Sequence, residues 1–453
     1  VWLLAMGRYL SVASGGVLVI LIGVTFGHPF FNVDIGPIPI TIDRVLWLWL
    51  IVASVVLLLT GRSQPKPLNR TDMLVIGLGL LLMASTLLHD WRYKENLPMS
   101  RLLFFNLIPM GFYFVARHCE IKTDHLKVIY VVLAVFGVYL SLTAIFEQRG
   151  FYALVFPRYI IDPEHWEFLG RARGPLLNPV SCGIYLTICM VASAFLWTRA
   201  QPLTRVFLTV VMGLCLLASF LTLTRSVWLA CAIAVAILFW FPAQTHIRGT
   251  LIVVGTLLLV IASLTISIER FNRFQRDKEV SEAAMAQSVT LRPMLAHVAF
   301  RMAQDKPLFG HGFGQYTAAK KPYHYDETDG LQLTRVLPYM QHNVFLSYLT
   351  ETGIAGLLLL VSLLGSLAFK SWQIWCTRFL PLPERQFGLL GLALVTSYCI
   401  NGMFHDVSII PHVGAILFLT LGISDNLYAS RISPAIAGFI GPVEDTENWS
   451  MAA

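Results

Sequence analysis

One arginine stands between two apolar runs, in the segment Leu221–Ser226. Arg225 keeps its charge at any physiological pH, and its fork of N–H donors fits the oxygens of a phosphate. A charge placed beside hydrocarbon is costly unless it is paired, so its presence there indicates a function. Arg225 is therefore a candidate ligand for a phosphate-bearing group. The alternative is a side chain that reaches up to lipid headgroups.

Three further arginines come before apolar segments. Arg171 and Arg173 lie in Gly170–Pro175, which leads to Asn178-Pro179 and a long apolar run. Arg292 precedes Pro293, a residue type that suits the first position of a helix. If these segments meet on one side of the molecule, the arginines would together make a cationic site. The alternatives are a polar loop with a helix start for Arg171 and Arg173, and a plain amphipathic helix with a solvated arginine for Arg292.

A histidine opens another apolar run, as His342-Asn343. An imidazole has an ordinary pKa near 6.5 and can accept a proton around neutral pH. His342 is thus a candidate general base, with Asn343 as a possible supporting residue. A histidine at a membrane surface without any chemical role is the alternative.

A glycine-rich segment, Lys306–Gly314, contains His311 between two glycines. Alternating glycines can present backbone N–H groups to an anion. The segment lacks the Gly-Lys-Ser/Thr ending of a nucleotide-binding loop, so a tight turn is the competing interpretation. His405, Asp406 and His412 do not have a convincing metal-ligand spacing, and we predict no metal site.

The composition predicts that these residues belong to a membrane protein. The chain has 453 residues, of which 56% are hydrophobic and 13% charged. Soluble domains carry about 25% charged residues, so this chain has too little polar surface for a water-soluble globule. The formal net charge of +7 is explained by cations that flank membrane spans. No basic stripe with interleaved aromatic residues indicates a nucleic-acid partner.

Apolar runs near the length of a membrane span recur along the chain. We predict an all-α bundle of about twelve transmembrane helices, the first of them a retained span rather than a cleaved signal. The runs lie at roughly 10–27, 44–60, 72–88, 102–117, 126–146, 178–198, 205–221, 226–241, 249–268, 343–369, 386–403 and 412–428. The stretch 205–241 is divided in two because a single helix would exceed the bilayer.

The distribution of cations predicts the sidedness of these spans. If the N-terminus is on the inner side, nearly every inner connection is basic, in agreement with the positive-inside rule. The chain then divides into nine helices (1–268), an outer loop (269–341), three helices (342–430) and an inner tail (431–453). Within the outer loop, Leu291, Leu295, Val298 and Met302 recur at helical spacing and predict an amphipathic helix that begins near Arg292.

Together these segments resemble the O-antigen ligase family and its relatives among O-antigen polymerases. The resemblance rests on Arg171–Pro175 with Asn178-Pro179, Thr224–Ser226, Arg292, Pro307–Gly314, His342-Asn343 and Glu351–Gly356. It implies a metal-independent membrane glycosyltransferase without a cofactor, with a large periplasmic loop. Such proteins move a glycan from a polyprenyl-diphosphate carrier to an acceptor, such as lipid A–core, at the periplasmic face of the bacterial inner membrane.

The resemblance also assigns roles to residues. The family's essential arginines and histidine fall on Arg225, Arg292 and His342. Arg225 and Arg292, with Arg173 as a weaker third, would bind the diphosphate, and His342 would be the general base. Arg171, Asn343 and His311 are possible supporting residues.

Three alternatives stay open. An O-antigen or exopolysaccharide polymerase would use the same chemistry with a carrier-linked repeat unit as its acceptor. A secondary transporter would also suit twelve spans, although transporters usually place polar residues near the midplane of the membrane, often within repeats. Here no internal repeat is evident, and the candidate residues gather on one side. A scaffold without catalysis would need none of these residues.

Overall fold

The computed structural model describes residues 11–35, 38–94, 96–165, 167–240, 282–324 and 333–434. This part of the chain is mostly helical, and its strands are a single antiparallel hairpin, β1 (Asn32–Ile35) with β2 (Ile38–Thr41). The predicted all-α class is confirmed. The predicted span 249–268 and most of the tail after 434 lie outside the described residues.

Twelve helices of ten or more residues make up the described part. In chain order they are α1 (Val12–Phe26), α2 (Ile42–Leu59), α3 (Arg70–Leu87), α4 (Pro98–His118, with a π-helical turn at Arg101–Leu107), α5 (Thr123–Arg149), α6 (Pro179–Trp197), α7 (Pro202–Leu221), α8 (Arg225–Trp240), α9 (Glu282–Asp305), α10 (Val344–Cys376), α11 (Leu382–Gly402) and α12 (Pro411–Leu427). Eight of them, α2 to α7, α10 and α12, are long and apolar enough to cross a membrane.

The remaining bundle helices are shorter or more polar. α1 and α8 are apolar over 15 residues each, and α11 is a buried helix packed against α10. Each predicted span that lies within the described residues therefore has a helix at its place. These helices make the chain a multi-pass membrane protein, while the total of twelve spans stays a prediction.

Asparagines begin three of these helices. The Asn69, Asn178 and Asn343 side chains each accept hydrogen bonds from the first backbone N–H groups of α3, α6 and α10. Such a cap satisfies donors that have no partner inside the helix. The predicted break between α7 and α8 is also present, at residues 222–224.

The core of the bundle surrounds α6, which is buried on nearly all sides. α5, α7, α8 and α11 pack against it. Glycines allow close approach: Gly183 of α6 faces Val227, and Gly137 of α5 faces Cys189. In membranes, where no hydrophobic driving force acts between helices, small residues let the backbones approach closely enough for van der Waals packing. Five of the seven cysteines are buried and act as small apolar side chains in this packing.

A buried charge cluster joins four helices. Arg117 of α4 pairs with Asp425 of α12 at 2.6 Å, and Asp425 also pairs with Lys370 of α10. The Tyr113 hydroxyl donates to Asp72 of α3 at 2.6 Å. The Arg117 side chain is buried together with these carboxylates. Ion pairs of this kind are the condition under which charges are tolerated inside a membrane protein.

α9 begins earlier than predicted. It spans Glu282–Asp305, so Pro293 lies inside the helix instead of in its first turn. The helix starts with strong helix formers, Glu-Ala-Ala-Met-Ala-Gln at 282–287. Their helix propensity helps to offset the proline inside the helix, which costs about 3 kcal/mol. The apolar stripe is confirmed, because Leu291, Leu295, Val298 and Met302 are all buried. α9 packs its apolar stripe on Tyr316 and Leu333 and lies against α10, as a cap on the bundle.

α10 is broken in its first third. Gly353 has φ 66° and ψ −166°, a conformation that is accessible almost only to glycine. The backbone groups released by this break bond to the glycine-rich segment. The N–H groups of His311 and Gly312 donate to the carbonyls of Thr350 and Glu351, both at 2.9 Å. In return, the N–H of Ile354 donates to the Pro307 carbonyl at 2.8 Å, and that of Ala355 to the Leu308 carbonyl at 3.2 Å.

Replacing Gly353 with alanine is expected to destabilise the protein by about 3 kcal/mol or more. A Cβ at this position would overlap the Leu308 backbone as well as strain its own. Thermal unfolding of the purified protein in detergent would measure the loss. Gly365, in the same helix with open space around it, is the matched control. Gly365→Ala should be neutral or stabilising by up to about 1 kcal/mol. Equal melting temperatures for the two variants would contradict the prediction.

Candidate active site

Arg225 is the first residue of α8, and its side chain is exposed. The first N–H groups of a helix have no partner inside it, and the helix dipole adds positive potential at this end. The guanidinium and the start of α8 therefore favour an anion at the same place. The residues before it, Thr222–Thr224, form the turn from α7.

Arg171 lies behind this turn. Its side chain is 4% exposed, its Nε donates to the Thr222 carbonyl at 2.9 Å, and its Nη2 donates to the Thr224 hydroxyl. Its guanidinium thus bonds directly to the segment that leads into Arg225. The predicted supporting role of Arg171 therefore has a structural basis in this contact.

Arg173 is fully buried and forms a different kind of contact. Its Nε donates to the Glu147 carboxylate at 2.7 Å, and its Nη atoms donate to the carbonyls of Ile160, His165 and Glu167, each at 2.6 Å. The same carboxylate accepts the backbone N–H groups of Arg173 and Gly174. These bonds fold the loop after α5 and direct the Arg173 donors into protein. We therefore leave Arg173 out of the diphosphate-binding set proposed below.

Arg173→Ala should lower stability by about 3–5 kcal/mol, since it leaves the Glu147 carboxylate buried without its cation. The double variant Arg173→Ala/Glu147→Gln removes both charges and should recover a large part of that loss. Melting temperatures of the purified variants would measure it. If Arg173→Ala were as stable as the wild type and yet inactive, a direct role in substrate binding would be indicated instead.

Arg292 and Asn343, the residue after His342, both contact one turn, residues 403–404. The Arg292 guanidinium lies 5.5 Å from the centre of the Phe404 ring. Asn343 donates from its side chain to the Met403 carbonyl at 3.1 Å while capping α10, and the exposed His342 directly precedes it. One predicted cation and the predicted base thus lie around one short connection. Asn343 holds that connection against the start of α10.

The helix that begins at Arg225 packs against the helix that leads into this turn. α8 packs against α11, and α11 ends at Gly402, directly before the turn that carries Phe404. That Arg225 lies close to Arg292 and His342 is part of the proposal below.

The glycine-rich segment is a turn whose donors are used within the protein. Besides the bonds to α10, the Phe313 N–H donates to the Ser85 hydroxyl at 2.9 Å. The glycines serve close packing, since Gly312 lies against His89 and Gly314 against Pro98. Of the two interpretations of the sequence, the tight turn is the one observed.

His311 is part of this turn. Its Nε2 donates to the Met302 carbonyl at 3.0 Å, and burial lowers the pKa of the imidazole below its usual value. Its supporting role is therefore structural: a neutral ring ties the end of α9 to the turn. The Tyr323 hydroxyl, 3.4 Å from Nε2, bonds to Asp305 at 2.6 Å and strengthens the same junction.

Sequence analysis missed an ion pair beside this turn. Arg101 of α4 bonds to the buried Glu351 of α10 at 3.0 Å, and its guanidinium lies 4.8 Å from the Phe313 ring centre. Glu351 was part of the recognised motif, but its partner was not identified. The signal was available, because an arginine and a glutamate near the ends of two apolar spans each need a partner of opposite charge.

Within the described ranges, His, Cys, Asp and Glu side chains form no group of three that could hold a metal ion. Asp406, one of the residues considered in the sequence, instead accepts a hydrogen bond from the Ser408 N–H at 3.1 Å and caps a short turn.

Comparison with known families supports the resemblance seen in the motifs. Residues 208–361 match the family model described as O-antigen ligase. The matched segment covers about a third of the chain and includes Arg225, Arg292, the glycine-rich turn and His342. The family indicates glycan transfer of the ligase or polymerase type in a membrane. No curated protein matches the chain.

Proposed function

We propose that this protein transfers a glycan from a polyprenyl-diphosphate carrier to an acceptor such as lipid A–core, at the periplasmic face of the bacterial inner membrane. The observation that carries the proposal is the exposed Arg225 at the start of α8, inside the segment that matches the O-antigen ligase family. Arg292 and His342, around the turn at 403–404, supply the second cation and the base.

The reaction follows from these groups. A hydroxyl oxygen of the acceptor attacks the anomeric carbon, and the bond from that carbon to the diphosphate oxygen breaks. The diphosphate leaves with the electron pair, and negative charge grows on it as it does so. Arg225 and Arg292 stabilise that charge, as fixed donors do most effectively where water is excluded. His342 accepts the proton of the attacking hydroxyl. Attack opposite the leaving group would invert the anomeric configuration.

The groups at the site need no metal for this reaction, since guanidinium groups can take the place of a divalent cation beside a diphosphate. The partners are the carrier-linked donor, the glycan or lipid A–core acceptor, and membrane lipids. Nothing in the described surface favours nucleic acid.

The test is transfer by the purified protein in lipid nanodiscs. A polyprenyl-diphosphate-linked oligosaccharide is incubated with lipid A–core in the presence of EDTA, and the glycolipid product is identified by mass spectrometry. We expect transfer, with inverted configuration by NMR. Release or movement of the donor without a new glycosidic bond would overturn the proposal, and retained configuration would overturn the single-step mechanism.

Omitting lipid A–core identifies the acceptor. A ligase should then give no longer product, whereas a polymerase should join one carrier-linked repeat to another. The second result would replace the proposed acceptor and leave the chemistry at the diphosphate unchanged.

A further inference from the structure

The turn between α7 and α8 holds a leucine in an unfavourable conformation. Leu223 has φ 52°, in the left-handed region that L-residues with a side chain seldom adopt. Such a conformation persists only where the surroundings fix it, and it is found most often at functional sites. Leu223 is two residues before Arg225, so its conformation sets the direction from which α8 starts.

Arg171 bonds to both sides of this leucine. Its Nε donates to the carbonyl of Thr222, and its Nη2 donates to the hydroxyl of Thr224. The backbone next to it adds a third bond, from the Ala172 N–H to the Leu221 carbonyl at 3.0 Å. One planar, rigid group therefore fixes the residues before and after Leu223, a geometry that a lysine could not reproduce.

The other side of the turn is fixed independently of Arg171. The Trp228 indole N–H donates to the Phe220 carbonyl at 3.0 Å, and the two rings stack with centroids 5.0 Å apart. Variants of Arg171 therefore keep one contact between the ends of α7 and α8. We expect them to fold.

We propose that Arg171 is a positioning residue, which holds Leu223 in the left-handed conformation and thereby fixes the direction in which Arg225 meets the donor diphosphate. This inference rests on the proposed function of Arg225. Arg171 is buried while Arg225 is exposed, so the two arginines of the same site have different tasks. Only Arg225 would touch the substrate.

A double-variant experiment tests this role. Arg171→Ala should lower kcat for transfer roughly tenfold, the size expected from the cost of an unsupported left-handed residue, with a smaller change in KM. Leu223→Gly should recover most of that loss, because glycine adopts a positive φ without steric cost. Leu223→Gly alone should stay within about twofold of the wild type, and Arg171→Lys should fall between Ala and the wild type.

The control is Arg158→Ala. Arg158 is an exposed arginine of the loop between α5 and α6, which also contains Arg171, and it bonds to the carbonyls of Tyr152 and Ala153 and not to the turn. It should keep the wild-type rate. The proposal is overturned if the double variant is no faster than Arg171→Ala, or if Arg171→Ala is as fast as the wild type.

A measurement without substrate separates this inference from the proposed function. Arg171→Ala should lower the melting temperature, and Leu223→Gly should reduce that decrease. Strictly additive effects would show that Arg171 does not support Leu223. If Arg225→Ala retained full activity, the role of Arg225 would be wrong, and the melting cycle would still decide whether Arg171 holds the turn.

Discussion

Replacing Arg225 with alanine is expected to lower kcat for glycan transfer about 10²–10³-fold, the usual effect of removing one fixed donor from a developing negative charge. The side chain is exposed at the start of α8, so its loss leaves the packing of the bundle intact. The melting temperature should therefore change little. KM should change less than kcat, because the charge on the diphosphate grows as the bond breaks.

Two controls define this effect. Arg225→Lys keeps the charge but loses the planar fork, so it should retain part of the activity. Arg158→Ala, which removes an exposed arginine from another part of the outer surface, should be fully active. A fully active and stable Arg225→Ala variant would exclude this residue from the site.

Replacing His342 with alanine is expected to lower the transfer rate about 10²–10⁴-fold, the range that a general base typically contributes. His342 is exposed and precedes the Asn343 cap, so the cap and the start of α10 should survive the substitution. The measurement is the initial rate in nanodiscs across a range of pH. The wild-type rate should fall at low pH as the imidazole is protonated, whereas the rate of His342→Gln should lack that dependence.

His28→Ala is the matched control, since His28 is an exposed histidine between α1 and the hairpin. It should leave both the rate and the pH profile unchanged. An unaltered pH profile in His342→Gln would assign the base to another residue, even if the rate were lower.

Local signals in the sequence predicted much of the architecture. Apolar runs near the length of a span gave the positions of the helices, and the asparagines before α6 and α10 marked their starts. The spacing of Leu291, Leu295, Val298 and Met302 predicted the buried stripe of α9. Each of these features depends on residues within a few turns of one another. For that reason they can be recognised without knowledge of the tertiary structure.

Long-range partners could not be predicted in this way. Arg171 and Arg173 are two residues apart in one polar loop, and only the fold shows that one bonds to the turn before α8 and the other to Glu147. Arg117 and Asp425 are far apart in sequence and meet only when four helices are assembled. The start of α9 was predicted wrongly because the proline rule was given more weight than the helix formers before it.

The break in α10 links two residues of the proposed site, Arg292 and His342, through backbone hydrogen bonds. The glycine-rich turn follows α9, which carries Arg292, and it completes the hydrogen bonding of the first part of α10, which follows His342. Separating the turn from α10 would break four backbone hydrogen bonds, at a cost of several kcal/mol where water does not replace them. His342, the proposed base, and Arg292, one of the proposed cations, should therefore move together as one rigid body. Any opening that admits a lipid-linked donor would then have to come from movement relative to α8 and Arg225.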